Sequence, residues 1–166
     1  ILVKEKNNTD ELFDHVVDVA RSHGHVKNGD LVVITAGVPL GVSGTTNLLK
    51  VQLVGDILVS GIGVTKGAVC GNLCVCKDED KALKSFKNGD ILVIPKTSNK
   101  ILPIIKNASG IITEQGGMNS HAAIVGLTLD KPVVVAAENA IQILKSGTTV
   151  TLDASRGIVY SGKEKI

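Results

Sequence analysis

The chain has no tryptophan, and aromatic side chains make up only 2% of its 166 residues. Platforms on which the bases of a single strand could stack are therefore missing. A surplus of one charge is missing too. The 18 basic and 16 acidic residues are scattered and leave a net charge of +2, which excludes the basic stripe of a nucleic-acid binder. No apolar run approaches the roughly 20 residues that cross a bilayer. No signal peptide is visible at the start. These features predict a cytoplasmic protein without membrane or nucleic-acid partners. Ile1 is not an initiator methionine, so the chain is expected to continue upstream. Cysteine is scarce: Cys70, Cys74 and Cys76 are an odd number in one short cluster, which is no disulfide framework. No fourth ligand stands nearby to complete a metal site. They read as small buried hydrophobes in a reducing compartment, and no metal ligand is predicted anywhere in the chain.

Hydrophobic residues amount to 43% and glycines to 18. With few aromatics, core volume must come from Val, Ile, Leu and Ala in short runs, the composition of buried strands covered by helices. Thr9-Asp10-Glu11 reads as a capped helix start, the helix carries Leu12, Phe13, Val16, Val17, Val19 and Ala20 on one stripe, and Gly24 stops it. Lys27 to Asp30 is a turn, Leu31 to Ile34 a buried strand, and Leu48 to Val54 the last strand of this segment. Residues 1–60 hold five basic and seven acidic side chains, residues 61–166 thirteen and nine. The change sits beside a glycine-rich junction. The predicted division is 1–55, 56–162 and a tail at 163–166. Beyond the junction come strand 68–76, helix 78–86, strand 91–95, a short helix 99–106 interrupted by Pro103, and strand 110–113. A helix opens at Ser120, followed by strand 133–136, a helix from Glu138 to Lys145, and strands 148–152 and 157–160. Strands alternating with helices give an α/β fold.

The segment Thr113-Glu-Gln-Gly-Gly-Met-Asn-Ser-His-Ala-Ala-Ile124 lies between a strand and a helix. A glycine-rich turn that opens a helix lets backbone N–H groups converge on a phosphate. Ser120 is placed to cap the helix, which puts His121 in its first turn. There the positive end of the helix disfavours imidazolium, and a neutral imidazole is a competent nucleophile. Thr113, Gly116, Gly117 and Ser120 are the candidate phosphate-holding residues and His121 the candidate phosphoryl acceptor. His15, His23 and His25 lie on or just after a helix without partner ligands and read as surface residues.

Thr113-x-x-Gly116-Gly117-x-x-Ser120-His121-Ala122-Ala123-Ile124-Val125 resembles the phosphohistidine motif of the phosphoenolpyruvate-utilising enzymes. The likeness covers nearly all of residues 61–162 and implies their mobile, swivelling β/β/α domain. That family continues Ala-Arg where this chain has Gly126-Leu127, which takes a cation away. Gly29-Asp30-Leu-Val-Val-Ile-Thr35-Ala-Gly37, followed by Gly41-x-Ser43-Gly44-Thr45-Thr46-Asn47, resembles the end of the pyruvate kinase C-terminal α/β domain. In this order the two resemble the long bacterial pyruvate kinases that carry an extra domain.

The resemblance implies an incomplete α/β domain followed by a swivelling domain, in an enzyme that moves phosphate from phosphoenolpyruvate to ADP. It implies Mg2+ and K+ for the whole enzyme, with no cofactor in this part. It also implies a homotetramer, contacts with the rest of the chain and neighbouring subunits, and a phosphorylated effector held in part by Ser43, Gly44, Thr45 and Thr46. Direct transfer needs no phosphoenzyme. The chain is thus expected to be catalytically silent, with a structural or regulatory added domain; the alternative is a working phosphohistidine carrier.

Overall fold

A computed structural model of the chain describes residues 1–4, 6, 8–39, 44 and 46–162. The chain divides into two compact units between Asp56 and Ile57. The expected tail at 163–166 lies outside the described residues.

In the first unit, helix α1 (Thr9–Ser22) starts one residue earlier than its hydroxyl suggested. The cap is Asn8, whose side chain accepts from Asp10 N; an Asx side chain competes well with Thr for this role. Gly24 follows the helix with a positive φ of 76°. Strands β1 (Leu31–Ala36) and β2 (Leu48–Leu53) form an antiparallel pair, with Leu31 opposite Leu53 and Val33 opposite Val51. Lys50 donates to Asp10 and Gln52 to Asp14, which ties α1 to β2. Phe13 and Val17, one turn apart on α1, are buried. The strand at Leu31 is not buried, contrary to expectation. Its alternate residues Leu31 and Val33, with Leu49, Val51 and Leu53 of β2, are exposed. A two-stranded sheet with one helix has only one face covered, and the period of 2 sends every second side chain to the other.

The second unit contains β3 (Ile57–Ser60), β4 (Ile62–Gly63), β5 (Ala68–Val75), α2 (Glu79–Ser85), β6 (Ile91–Ile94) and a 3-10 turn (Asn99–Ile101). It continues with α3 (Leu102–Asn107), β7 (Gly110–Thr113), α4 (His121–Thr128), β8 (Val133–Val135), α5 (Ala140–Ile143), β9 (Thr149–Asp153) and β10 (Ile158–Ser161). Pro103 does not interrupt a helix. It sits in the first turn of α3, where its missing N–H costs nothing. The helix expected from Glu138 to Lys145 shrinks to one turn, because Asn139 just before it is left-handed at φ 59°.

The strand order is β3-β10-β9-β5-β6-β7-β8-β4, with β5 to β8 parallel and the remaining pairings antiparallel. Only Gly61 separates β3 from β4 in sequence, yet they stand at opposite ends of that order. The sheet must therefore curl until its edges meet. Gly61 N donates to Gly157 O at 2.8 Å, while the next residue, Ile62, pairs with Val135. A Cβ on Gly61 would stand 2.5 Å from the Val135 carbonyl oxygen, so only glycine lets the chain cross the seam.

Alternation along β6 then makes two cores. Leu92 and Ile94 join Cys74, Ile105, Ile111, Ala123 and Val133 beneath the helices. Ile91 and Val93 join Leu73, Ile112, Val134, Val150 and Leu152 inside the curled sheet. Strands buried on both faces explain why these runs are apolar throughout rather than alternating.

Candidate functional site

Parallel pairing of β6 with β7 brings the loops at their C-terminal ends side by side, the usual place for a ligand on such a sheet. The β7 loop is the glycine turn and the β6 loop runs through Pro95, Lys96, Thr97 and Ser98. Gln115 N donates to Pro95 O at 2.9 Å and joins them.

Ser120 caps α4, its hydroxyl accepting from Ala123 N at 3.4 Å. Gly116 takes a φ of 111°, and a Cβ there would lie 2.8 Å from that of Ser120; a side chain is excluded by both conformation and space. Thr113 is fully buried, and its hydroxyl donates to Gln115 O at 2.9 Å, which braces the turn. Gly117 O accepts from Ser120 N at 2.9 Å. Thr113, Gly116, Ser120 and His121 line one cavity of about 230 Å3, together with Lys96 and Thr97. Gly117 does not line it.

His121 is half-buried, and both of its ring nitrogens have partners. Nδ1 lies 2.9 Å from Thr97 Oγ1 and Nε2 lies 2.9 Å from Asn99 Oδ1. An amide oxygen only accepts, so with Asn99 in this orientation Nε2 carries a proton, and in a neutral ring Nδ1 then accepts from the Thr97 hydroxyl. With both nitrogens partnered in this way, neither offers a free lone pair. The turn that bears Asn99 is itself held by α2. Ser98 donates to Glu79 at 3.0 Å, and Lys100 donates to Asp80 at 2.7 Å. The hydrogen bond and charge of Asp80 raise the Lys100 pKa above its ordinary value.

Lys96, Thr97 and Asn99 are absent from the motif read in the sequence. They are distant in sequence from His121, and their one local signal is position just after a buried strand. Lys96 is exposed and forms no ion pair among the described residues. It brings a cation to the cavity from the β6 loop. Position 127 is six residues beyond His121, about 9 Å along the helix; Leu127 is exposed and does not line the cavity. Gly126 is buried against Val133.

Of the expected effector loop, Gly44 and Thr46 are exposed, and Ser43 and Thr45 lie outside the described residues. No group of three or more His, Cys, Asp or Glu side chains is arranged to hold a metal among the described residues. No helix among them is long and apolar enough to cross a membrane.

Residues 1–52 match the family of the pyruvate kinase alpha/beta domain, and residues 86–157 match the mobile domain of PEP-utilising enzymes. A pyruvate kinase of Lactobacillus delbrueckii subsp. bulgaricus is 47% identical over 98% of this chain, which spans 28% of that protein. One of Geobacillus stearothermophilus is 46% identical over 96% of the chain and 27% of its own length. The chain thus spans little more than a quarter of the relatives it matches. Aconitase X of Thermococcus kodakaraensis shares the fold, with a TM-score of 0.51 at 20% identity over 63% of this chain and 98% of that one.

Proposed function

The chain joins a pyruvate kinase α/β segment to a mobile domain of the phosphoenolpyruvate-utilising enzymes, and from that premise we propose that it serves a pyruvate kinase as a non-catalytic, structural or regulatory part. The parent reaction moves a phosphoryl group from phosphoenolpyruvate to ADP without a phosphoenzyme. The single observation that carries the reading is the double tether of His121. An imidazole held at both nitrogens by Thr97 and Asn99 is positioned as a structural link between two loops, not as a waiting nucleophile.

The exposed apolar face of β1 and β2 supports the assignment of partners. Five large aliphatic side chains on one sheet face favour burial against the rest of a longer protein or a neighbouring subunit of a homotetramer. Mg2+ and K+ are proposed for the whole enzyme, and none is assigned to this part. The Ser43 to Thr46 loop is the proposed contact for a phosphorylated effector, and the cytoplasm the proposed location.

Incubation of the full-length protein with labelled phosphoenolpyruvate tests this. No acid-labile label is expected. Label on the wild type that disappears in His121→Ala would overturn the reading and establish a carrier. One observation favours that second reading: Lys96, Thr113, Gly116 and Ser120 surround His121 in a cavity of about 230 Å3, a set of groups able to hold phosphate oxygens.

A further inference from the structure

The second unit holds a pair of thiols that the His121 site does not use. Cys74 is the last residue but one of β5 and Cys76 follows two residues later, so both side chains leave on the same side of the extended chain. Their sulfurs are 3.6 Å apart. Ser85 of α2 places its Oγ 3.8 Å from the first and 3.6 Å from the second. That hydroxyl donates its own hydrogen to Lys81 O at 2.8 Å, so toward the thiols it acts as an acceptor. Cys76 is fully buried, but Cys74 lines a cavity of about 410 Å3 with Asn72, Lys81, Ser85 and Ser146, which gives a small molecule a way in. The third cysteine is too far to take part: Cys70 is four residues up the strand from Cys74, about 13 Å.

The separation selects the chemistry. A pyramidal three-coordinate centre that bonds two sulfurs at about 2.3 Å with an angle of about 100° holds them about 3.5 Å apart, whereas a linear centre needs about 4.6 Å. The observed spacing lies near the first value without movement of the strand. We propose that Cys74 and Cys76 form a dithiol site that bonds both sulfurs to one soft electrophile of the trivalent arsenical class, entering from the cavity beside Ser85. With an arylarsine oxide, two S–H bonds break and two As–S bonds form. The two protons leave with the oxide oxygen as one water, and arsenic remains trivalent, so no oxidant or reductant is required.

Phenylarsine oxide added to the folded chain tests the site. One adduct per chain is expected by intact mass, with two of the three thiols lost to a thiol titration in denaturant. Peptide mapping after alkylation should find Cys74 and Cys76 protected and Cys70 modified. The adduct should survive excess monothiol and be released by a dithiol. Cys70→Ser should bind as the wild type does, while Cys74→Ser and Cys76→Ser should lose about 10²–10⁴-fold in affinity, the advantage of two attachments over one. Absence of an adduct on the folded wild type, or protection of Cys70 in the map, would overturn the proposal. The map uses the wild type alone, so it decides the matter even if a serine variant fails to fold.

Discussion

Gly126→Ala should destabilise the second unit, although alanine is the better helix former. Gly126 lies inside α4, where it passes β8. A Cβ there would overlap Val133 Cγ2 and stand 3.1 Å from Val133 Cβ. Val133 is fully buried and β-branched, so it has no free rotamer into which to retreat. Overpacking of this kind costs about 1–3 kcal/mol. Against it stands about 1 kcal/mol from replacing glycine within a helix. A net loss of about 1 kcal/mol follows, or a fall of about 5 °C in the midpoint of a domain of this size. Thermal unfolding followed by circular dichroism reads it directly. Val133→Ala alone should also destabilise, by the cavity it leaves, about 2 kcal/mol. The double variant should cost less than the sum of the singles by about 2 kcal/mol, since the new methyl then occupies vacated space. An equal or higher midpoint for Gly126→Ala, or strict additivity in the cycle, would refute the reasoning that close approach of α4 to β8 dictates this glycine.

Asn99→Ala removes the acceptor of the Nε2 proton of His121. A neutral hydrogen bond is worth about 1 kcal/mol, so nitrogen-edited NMR should show the ring tautomers shifting by about five- to tenfold; an unchanged spectrum would mean that Asn99 does not hold the ring. Asp78 caps α2 by accepting from Lys81 N at 2.7 Å, and Asp78→Ala should cost about 1 kcal/mol in chemical denaturation. Burial pushes the Cys74 thiol up from 9.0 to about 11, with Cys76 adding to the effect. A raised folded pKa means that the folded state keeps a proton the unfolded state has lost. Stability should therefore be fully present below pH 9 and decline toward pH 11, and Cys74→Ala should show a shallower alkaline loss in urea titrations across that window. Val33→Lys on the open face of β1 should leave stability within about 0.5 kcal/mol. It should reduce any concentration-dependent self-association seen by sedimentation, which an interior role for Val33 within the unit would not produce.

Much of the second unit was legible because its strands are buried on both faces. Runs such as Ile91-Leu-Val-Ile94 and Val133-Val-Val135 announce themselves without any need for a period. The glycine turn was legible for a different reason. Gly116, Ser120 and His121 act within one loop and one helix start, so spacing along the chain is also spacing in space. The burial of the first strand was misjudged at Leu31 and Val33, because an apolar residue announces that it favours burial, not what covers it. The helix at 138–145 was overestimated because the left-handed turn at Asn139 is a choice the surrounding fold imposes.

By itself the sequence determined the alternation of strands and helices and the capped helix at His121. Both follow from local conformational preference and short spacing. Only the tertiary structure decided that the sheet closes on itself across Gly61, that Lys96, Thr97 and Asn99 meet His121, and that Cys74 and Cys76 both lie against Ser85. Those depend on which strands lie side by side and which helix covers them. Pairing and packing join residues far apart along the chain, and no local pattern records such meetings.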